Sequence, residues 1–374
     1  MTARRPLLAF TSVVRGAALR EPSGSVGILD LEERRVVSRA RVPESRHRTH
    51  DPNPRGGVRG ARGVAASEER LVIANSDRLL VFDRDWDLVA ELSHPWLGGI
   101  HDIDLDGDGI WVTCTNADLL VKVGWDGEIL DRWSWRSDRD LGAALGFARV
   151  PAFRPELDYR DPRTSQGGVH NIAHLNGVAR GDGSLLLSFG RVIPAREVAR
   201  RKAKAIGGRA AARVGVVRPD RFRESRVPVS VVEGSAYALV ELPDDRAAGA
   251  RVLLLERPVS VPNHNVLGRG GELVYNDSNS DRVVAWDLGV GRPRVAVEIP
   301  GDPAFVRGLA RLDDRLYLVG SQRPAAVRVV DLEAGALVET VGLGGDPREA
   351  VYAICVLPES FASPPPALSF DLRA

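Results

Sequence analysis

The sequence has very little cysteine and no surplus of charge of either sign. Cys114 and Cys355 are the only two cysteines in 374 residues, and each lies within an apolar run. This excludes a disulfide framework and favours buried free thiols in a reducing compartment, so we predict a cytoplasmic protein. Lys and Arg total 51 against 50 acidic residues, a net charge of +1, which gives no whole-molecule reason to expect nucleic acid or a membrane as partner.

Long apolar runs are also missing. No segment approaches the roughly 18 uncharged apolar residues of a membrane span. The N-terminal run LLAFTSVV is short, Arg15 interrupts it, and no small-residue cleavage site follows, so it does not indicate an export signal. What recurs instead is short β-rich runs separated by Asp-Gly, Gly-Gly and Asn-Ser turns, a pattern that favours a sandwich, barrel or propeller over a helical fold.

A repeat decides among these architectures. Five segments share one template, in which a polar residue opens a strand and the first apolar residue of a second strand follows nine positions later. The pairs are Arg62 and Leu71, His101 and Ile110, Asn176 and Leu185, His264 and Leu273, and Arg307 and Leu316. A sixth copy is split between the chain ends, with the segment from Tyr352 as its innermost strand. We predict an all-β fold, a six-bladed β-propeller closed by N- and C-terminal strands, as one domain over residues 1–374.

The first strand of each propeller blade lines the central channel, so the opening residues are expected to converge at one mouth. They are Arg62, His101, Asn176, His264, Arg307 and Tyr352. Small, apolar or mutually hydrogen-bonded residues would merely plug the channel. Two arginines and two histidines without a carboxylate among the six openings favour a ligand pocket.

Two long connections, about 135–173 and 191–232, are predicted to emerge on the same face and to form a lid. The second contains a basic segment that is either part of this lid or a solvated surface: Arg196, Arg200, Arg201, Lys202 and Lys204. The first ends with His170 and His174. Because side chains alternate along a strand, His174 should point to the same side as Asn176. His47 and His50 fall in a polar connection that we expect near the mouth.

At these residues the chain resembles a bacterial family of uncharacterised six-bladed propeller proteins. The shared segments are His101-Asp102-Ile103, His174-Leu175-Asn176-Gly177, Pro262 with His264, and Arg307-Gly308-Leu309. The likeness covers about residues 60 to 320, and it departs from the family pattern where Asn263 separates the proline from His264. The resemblance implies a six-bladed fold with a shared axial site, and no activity comes with it.

More distantly, the layout is similar to that of the arylsulfate sulfotransferases, whose propeller mouths also use histidine and arginine on an anionic substrate. It differs from gluconolactonase-like propellers, which hold a divalent cation with carboxylates and asparagines. Because none of the six openings is acidic, the sequence argues against a calcium site of that type.

Three hypotheses follow for the mouth. In the first, Arg62 and Arg307 clamp a small carboxylate, sulfate or phosphate metabolite, and histidine provides acid–base or nucleophilic catalysis. The predicted catalytic residues are His101, His264, His174 and Tyr352, and the predicted substrate-binding residues are Arg62, Arg307, Asn176 and His170. This hypothesis needs no cofactor and leaves the reaction open between a transferase, a hydrolase, a lyase and an isomerase.

In the second hypothesis, His101, His174 and His264 hold a single zinc, copper or iron ion for hydrolysis or oxygenation. The two arginines of the ring would repel such a cation unless an anion lay between them. In the third, the propeller binds a small ligand or a protein without catalysis, since propellers serve many functions.

Overall fold

The computed structural model describes residues 5–51, 60–165, 170–203 and 233–372. Its strands form six antiparallel sheets of four strands each. Blade 1 comprises β1 (Leu7–Val14), β2 (Ser25–Asp30), β3 (Arg35–Arg41) and β24 (Glu349–Val356); blade 2 comprises β4 (Val64–Ala66), β5 (Arg70–Ala74), β6 (Leu79–Asp83) and β7 (Leu88–Leu92). Blade 3 comprises β8 (Ile100–Asp106), β9 (Gly109–Cys114), β10 (Leu119–Gly124) and β11 (Ile129–Trp133).

The remaining blades follow in chain order. Blade 4 comprises β12 (Leu175–Gly181), β13 (Ser184–Val192), β14 (Ala236–Pro243) and β15 (Arg251–Glu256); blade 5 comprises β16 (His264–Arg269), β17 (Glu272–Asp277), β18 (Arg282–Asp287) and β19 (Arg292–Glu298). Blade 6 comprises β20 (Arg307–Arg311), β21 (Leu316–Ser321), β22 (Ala326–Asp331) and β23 (Ala336–Gly342). The six-bladed propeller predicted from the repeat is therefore confirmed.

Helices are few and short in the described part of the chain. They are α1 (Arg139–Ala144), α2 (Pro162–Ser165) and α3 (195–203), with 3-10 turns at Arg48–His50, Trp135–Ser137, Arg246–Ala248 and Glu359–Phe361. None of these helices is long and apolar enough to cross a bilayer. Helix α3 lies in the basic segment of the second insertion, while residues 166–169 and 204–232 of the two predicted insertions lie outside the described residues.

Blade 1 closes the ring in the predicted way. The C-terminal strand β24 is its innermost strand and pairs with β1, so that strands from both ends of the chain complete one sheet. The first strands of neighbouring blades pack side by side around the channel. This arrangement brings the beginnings of all six first strands to one mouth.

The core is divided into six hydrophobic clusters, one at each contact between neighbouring blades. Strand β5 shows why the sequence favours this arrangement. Its residues Leu71 and Ile73 pack towards blade 1, whereas Val72 and Ala74 pack towards blade 3. A strand buried on both faces needs a continuous apolar run instead of a polar–apolar alternation. The first insertion extends one cluster, since Trp135, Leu141 and Phe147 pack between blades 3 and 4.

Both cysteine thiols are free, as the sequence predicted. Cys114 is buried in β9 and Cys355 is partly buried in β24. Burial raises the pKa of Cys355 to about 12, so this thiol stays protonated and unreactive near neutral pH.

Candidate functional site

Irregular pairing marks the beginnings of the channel-lining strands. In β12, β16, β20 and β24 an extra residue interrupts the register with the second strand, at Asn176, Asn265, Gly308 and Tyr352. A similar irregularity lies between Ile100 and Ile103 in β8. Bulges re-aim side chains and are common beside functional sites. Here they recur at the mouth, where five of the six first strands begin.

The backbone conformation of the Arg-Gly-Leu segment requires glycine at position 308. Gly308 adopts a φ of +68°, and a Cβ on it would lie 3.1 Å from the backbone of Ala353 in β24. Only glycine combines that conformation with so close an approach between two channel strands. Gly308 therefore brings β20 against β24, and with it Arg307 against Tyr352.

Two arginines flank one aromatic ring at the mouth. The guanidinium carbons of Arg62 and Arg307 lie 4.6 Å and 4.4 Å from the ring centroid of Tyr352, and Arg307 also lies 5.2 Å from the ring of Phe305. Both arginines and the tyrosine are buried. Among the described residues no carboxylate forms an ion pair with Arg307, and its Nε has no hydrogen-bond partner. Burying a cation without a counter-ion costs free energy. The guanidinium of Arg307 is therefore suited to bind an anion from outside the protein.

His264 holds Arg307 in place, and both of its ring nitrogens have hydrogen-bond partners. Its Nε2 faces Nη2 of Arg307 at hydrogen-bonding distance, and its Nδ1 lies 2.8 Å from Oγ of Ser278. A guanidinium can only donate, so Nε2 must accept and the ring proton must sit on Nδ1. The Ser278 hydroxyl donates its own hydrogen bond to the carbonyl of Val306. His264 is thus a neutral acceptor that orients Arg307.

His101 has the same tautomer but a free second nitrogen. Its Nδ1 lies 2.9 Å from the carbonyl of Gly99 and 3.0 Å from Oγ1 of Thr115. The Thr115 hydroxyl donates to the carbonyl of Leu175, so it can only accept from His101. Nδ1 therefore carries the proton, and Nε2 keeps a lone pair that no described residue occupies. Because the ring is partly exposed, this lone pair is available to a ligand.

His174 lies beside His101, with ring centroids 4.9 Å apart in an edge-to-face arrangement, and the ring of Tyr352 lies 5.7 Å from His101 on another side. Nδ1 of His174 is 3.3 Å from the amide oxygen of Asn171, which again assigns the proton to Nδ1. His174 is also partly exposed. The mouth therefore offers two neighbouring imidazoles whose Nε2 atoms can exchange protons with a ligand.

The three histidines are held neutral. Burial lowers the pKa of His101 well below its usual value, and His174, Arg62 and Arg307 lower it further. Burial is also the main cause of the lowered pKa of His174 and of His264. The next cause is Arg191 for His174 and Arg307 for His264. Neutral imidazoles can act as bases near pH 7.

Two predicted substrate-binding residues have other partners. The amide of Asn176 donates to the carbonyl of Asn263 at 2.7 Å and accepts from Ser188 at 3.0 Å, so it links blade 4 to blade 5. His170 lies beside Tyr159, 5.5 Å between ring centroids, and its carbonyl accepts from Arg136. The structure brings together the other six predicted residues: Arg62, His101, His174, His264, Arg307 and Tyr352.

An acidic residue in helix α3 offsets part of the positive charge of its arginines. Glu197 pairs with Nε of Arg200 at 2.6 Å and with Nε of Arg201 at 2.8 Å. These hydrogen bonds lower the pKa of Glu197 to about 2. Burial, and then the nearby Arg201, lower the pKa of Arg191, which is a charged neighbour of His174. Arg191 is a member of the mouth that the sequence repeat did not single out.

Asp102, directly after His101, is the second residue that the repeat did not single out. It is partly buried, accepts from the side-chain amide of Asn265 in blade 5 at 3.2 Å, and lies near Asp104 on the same strand. Burial, and then Asp104, raise the pKa of Asp102 to about 7. The mouth thus has a titratable carboxyl group beneath its histidines. The sequence signal that could have identified Asp102 was its position in the His-Asp-Ile segment.

Replacing Asp102 by asparagine is expected to flatten the pH dependence of the unfolding free energy. An unfolded aspartate titrates near about 3.9, so between that value and about 7 the folded state binds more protons and stability falls as pH rises. Urea unfolding at pH 5 and pH 8 measures the effect. The wild type should lose roughly 1–3 kcal/mol more than the variant over this interval. A difference in unfolding free energy between wild type and variant that stays constant with pH would contradict this assignment. Asp108→Asn, at an exposed turn, is the control.

No protein-family model and no curated protein matches the chain. Among solved structures it is similar to a protein of unknown function from Bacteroides caccae, with 11% identity, a TM-score of 0.54, and coverage of 94% of this chain and 98% of that one. A chain of a nidogen/laminin complex shows 11% identity, a TM-score of 0.52 and coverage of 94% and 97%. Virginiamycin B lyase from Staphylococcus aureus matches with 12% identity, a TM-score of 0.44 and coverage of 77% and 71%, which is too distant to inform function. These similarities support the propeller fold alone.

Proposed function

We propose that the channel mouth binds a small metabolite carrying a carboxylate, sulfate or phosphate group, and that histidine there performs acid–base or nucleophilic chemistry on it. The observation that carries this proposal is Arg307, a buried guanidinium that no described carboxylate neutralises. An anionic group beside Arg307 would offset the cost of burying this cation, and Arg62, which lies against the same Tyr352 ring, is close enough to contribute to binding it.

The roles of the residues follow from their hydrogen bonds. Arg307 and Arg62 bind the anion, and His264 fixes the orientation of Arg307 through Nε2. His101 is the general base or nucleophile, since its Nε2 lone pair is free and its Nδ1 is anchored to Gly99 and Thr115. When His101 acts as a base, the proton that it takes returns to the departing or rearranging group from Nε2 of His101 itself or through Nε2 of the neighbouring His174. The Tyr352 hydroxyl, buried near Arg307, can donate to developing negative charge.

The three-histidine metal alternative is less well supported. For His264 to bind a metal through Nε2 it would have to give up Arg307, and its Nδ1 is already bonded to Ser278. Two arginines would then face a cation in a buried site. A binding propeller without catalysis remains the second alternative, and measured turnover separates it from the proposal.

The test is a thermal-shift screen of carboxylated, sulfated and phosphorylated metabolites, each paired with its uncharged amide or alcohol analogue. We expect an anionic compound to stabilise the wild type, by about 2.7 kcal/mol at a hundredfold excess over its dissociation constant. Arg307→Gln should abolish that shift because it removes the buried charge.

Arg315→Gln is the matched control, since Arg315 lies in the same blade but is exposed and pairs with Asp331. Binding that persists in folded Arg307→Gln, or equal binding of the uncharged analogues, would contradict the proposal.

A further inference from the structure

A second group of ligating side chains, which includes none of the channel residues, lies where two connections meet. His47 and His50 belong to the connection between β3 and β4, and Asp161 belongs to the connection between β11 and β12. Oδ2 of Asp161 lies 3.6 Å from Nδ1 of His50 and 4.0 Å from Nδ1 of His47. In the described part of the chain, this is the one group of histidine, cysteine and acidic residues whose three ligand atoms all lie within 4.8 Å of one another.

Local geometry explains why the two imidazoles share one side. Residues 48–50 form a 3-10 turn, closed by a hydrogen bond from the amide of His50 to the carbonyl of His47 at 3.0 Å. In a 3-10 helix, side chains three positions apart lie one above the other. The two rings accordingly lie 6.2 Å apart between centroids. A histidine pair with this spacing is a ready-made pair of metal ligands.

Asp161, the third candidate ligand, lies in a segment that hydrogen bonds hold against the rest of the fold. The amide of Tyr159 donates to the carbonyl of Pro95 at 2.7 Å, and the carbonyl of Tyr159 accepts from the Asn116 side chain at 3.0 Å. The indole of Trp96 donates to the carbonyl of Pro155 at 3.0 Å. These contacts fix the insertion across blades 2 and 3, and they place Asp161 opposite the histidines.

Two further observations point to a cation between these groups. Nδ1 of His50 is buried and has no hydrogen-bond partner among the described residues, although it faces the carboxylate. On the other side, Oδ1 of Asp161 accepts from the backbone amide and from Nε of Arg163. That contact would orient the carboxylate in the way an outer partner orients a metal ligand. Nε and Nη2 of Arg163 also donate to Oδ2, and a metal bound at Oδ2 would displace these two contacts.

We propose that His47, His50 and Asp161 bind one zinc ion, which fastens the first insertion to the connection between blades 1 and 2. Two neutral imidazoles and one carboxylate are a zinc ligand set, and a water would complete the tetrahedron. Tetrahedral ligands at 2.0–2.2 Å from zinc lie about 3.3–3.6 Å apart. The separations of 3.6 Å and 4.0 Å from the Asp161 oxygen therefore have to close by about 0.7 Å or less, and the separation between the two histidines, which is within 4.8 Å, by about 1.5 Å or less. The insertion ends at His174, so the ion would steady the segment that carries a histidine of the mouth.

The experiment is zinc binding to the full chain, stripped with a chelator, titrated with zinc alone and desalted before mass spectrometry. We expect one zinc per chain in the wild type and in His101→Ala/His174→Ala, and none in His47→Asn/His50→Asn. His94→Asn is the matched control, because His94 is a partly buried histidine that packs on Trp96, near the contacts that hold the Asp161 segment, and it belongs to neither group. Removing zinc from the wild type should lower its melting temperature, and the His47→Asn/His50→Asn protein should show no such response.

Each other outcome overturns the proposal. A wild type that retains no zinc after desalting has no site. Zinc retained by folded His47→Asn/His50→Asn, or lost in His101→Ala/His174→Ala, would place the ion elsewhere. A melting temperature unchanged by chelation would refute the fastening role. None of these results depends on the proposed anion site, whose test uses Arg307.

Discussion

Asp118→Ala is expected to lower the free energy of unfolding by about 3–5 kcal/mol. The Asp118 carboxylate is completely buried and pairs with the buried guanidinium of Arg136 at 3.1 Å. It also accepts from three backbone amides where the first insertion returns to blade 4, those of Ile172, Ala173 and Leu175. Alanine would leave Arg136 without its carboxylate and the three donors without their acceptor, all away from water.

Asp118→Asn separates the causes of this loss. Asp118 has a φ of +48°, a conformation that asparagine tolerates and alanine does not. The asparagine variant should keep some of the amide contacts and lose less stability than the alanine variant. Urea unfolding of both proteins is the measurement, with Asp108→Ala, an exposed partner of Lys122, as the control expected to cost about 0–1 kcal/mol. A loss below about 1 kcal/mol in Asp118→Ala would show that the segment before His174 is held in another way.

His101→Gln is expected to lower turnover of the metabolite found by the screen by about 10²- to 10⁴-fold while leaving its binding nearly unchanged. Glutamine can fill the space of the ring, but it supplies no basic nitrogen where Nε2 stands. His264→Gln should behave differently, because it disturbs the orientation of Arg307 and should therefore weaken binding. Steady-state kinetics and direct binding of both variants are the measurement.

The pH profile gives an independent readout for His101. Burial and the neighbouring His174, Arg62 and Arg307 lower its pKa well below the usual value, so the base form persists at pH 6. We expect no loss of kcat/KM from imidazole protonation between pH 8 and pH 6, and a fall only at more acidic pH. Because the neighbouring Asp102 has a pKa of about 7, the profile is measured in an Asp102→Asn background. A His101→Gln protein with more than a tenth of wild-type turnover would exclude His101 as the base.

The fold could be predicted because its signal is repeated and local. A hairpin fixes the distance from the first residue of one strand to the first residue of the next, so a nine-residue spacing identified the channel strands of blades 2 to 6. Residues that begin such strands must approach the axis, and this placed the two arginines and His101, His264 and Tyr352 at the mouth. The closing of blade 1 by β1 and β24 was likewise predictable, because otherwise both ends would leave open sheet edges.

The finer geometry of the mouth could not be predicted, because it depends on departures from regular strands. Simple alternation put His174 and Asn176 on the same side. In the structure the extra residue at Asn176 and the φ of +54° at His174 break that alternation, and the Asn176 amide lies between blades. The repeat also selected one residue per strand and so missed Asp102, the next residue along the chain. The functional difference between His101 and His264 depends on contacts with Thr115, Ser278 and Arg307, which have no local signature.

The shared blade also has a consequence for how the chain is made. Ser12 in β1 and Glu349 in β24, which are hydrogen-bonded in the finished ring, stand 337 positions apart in the chain. At ribosomal rates of about 5–20 residues per second, roughly 17 to 67 s pass between their synthesis. During that time β1 has no inner neighbour and presents an apolar strand edge, and the six blades cannot close. Until the last strand is made, the inner edge of β1 is therefore open to pairing with another chain.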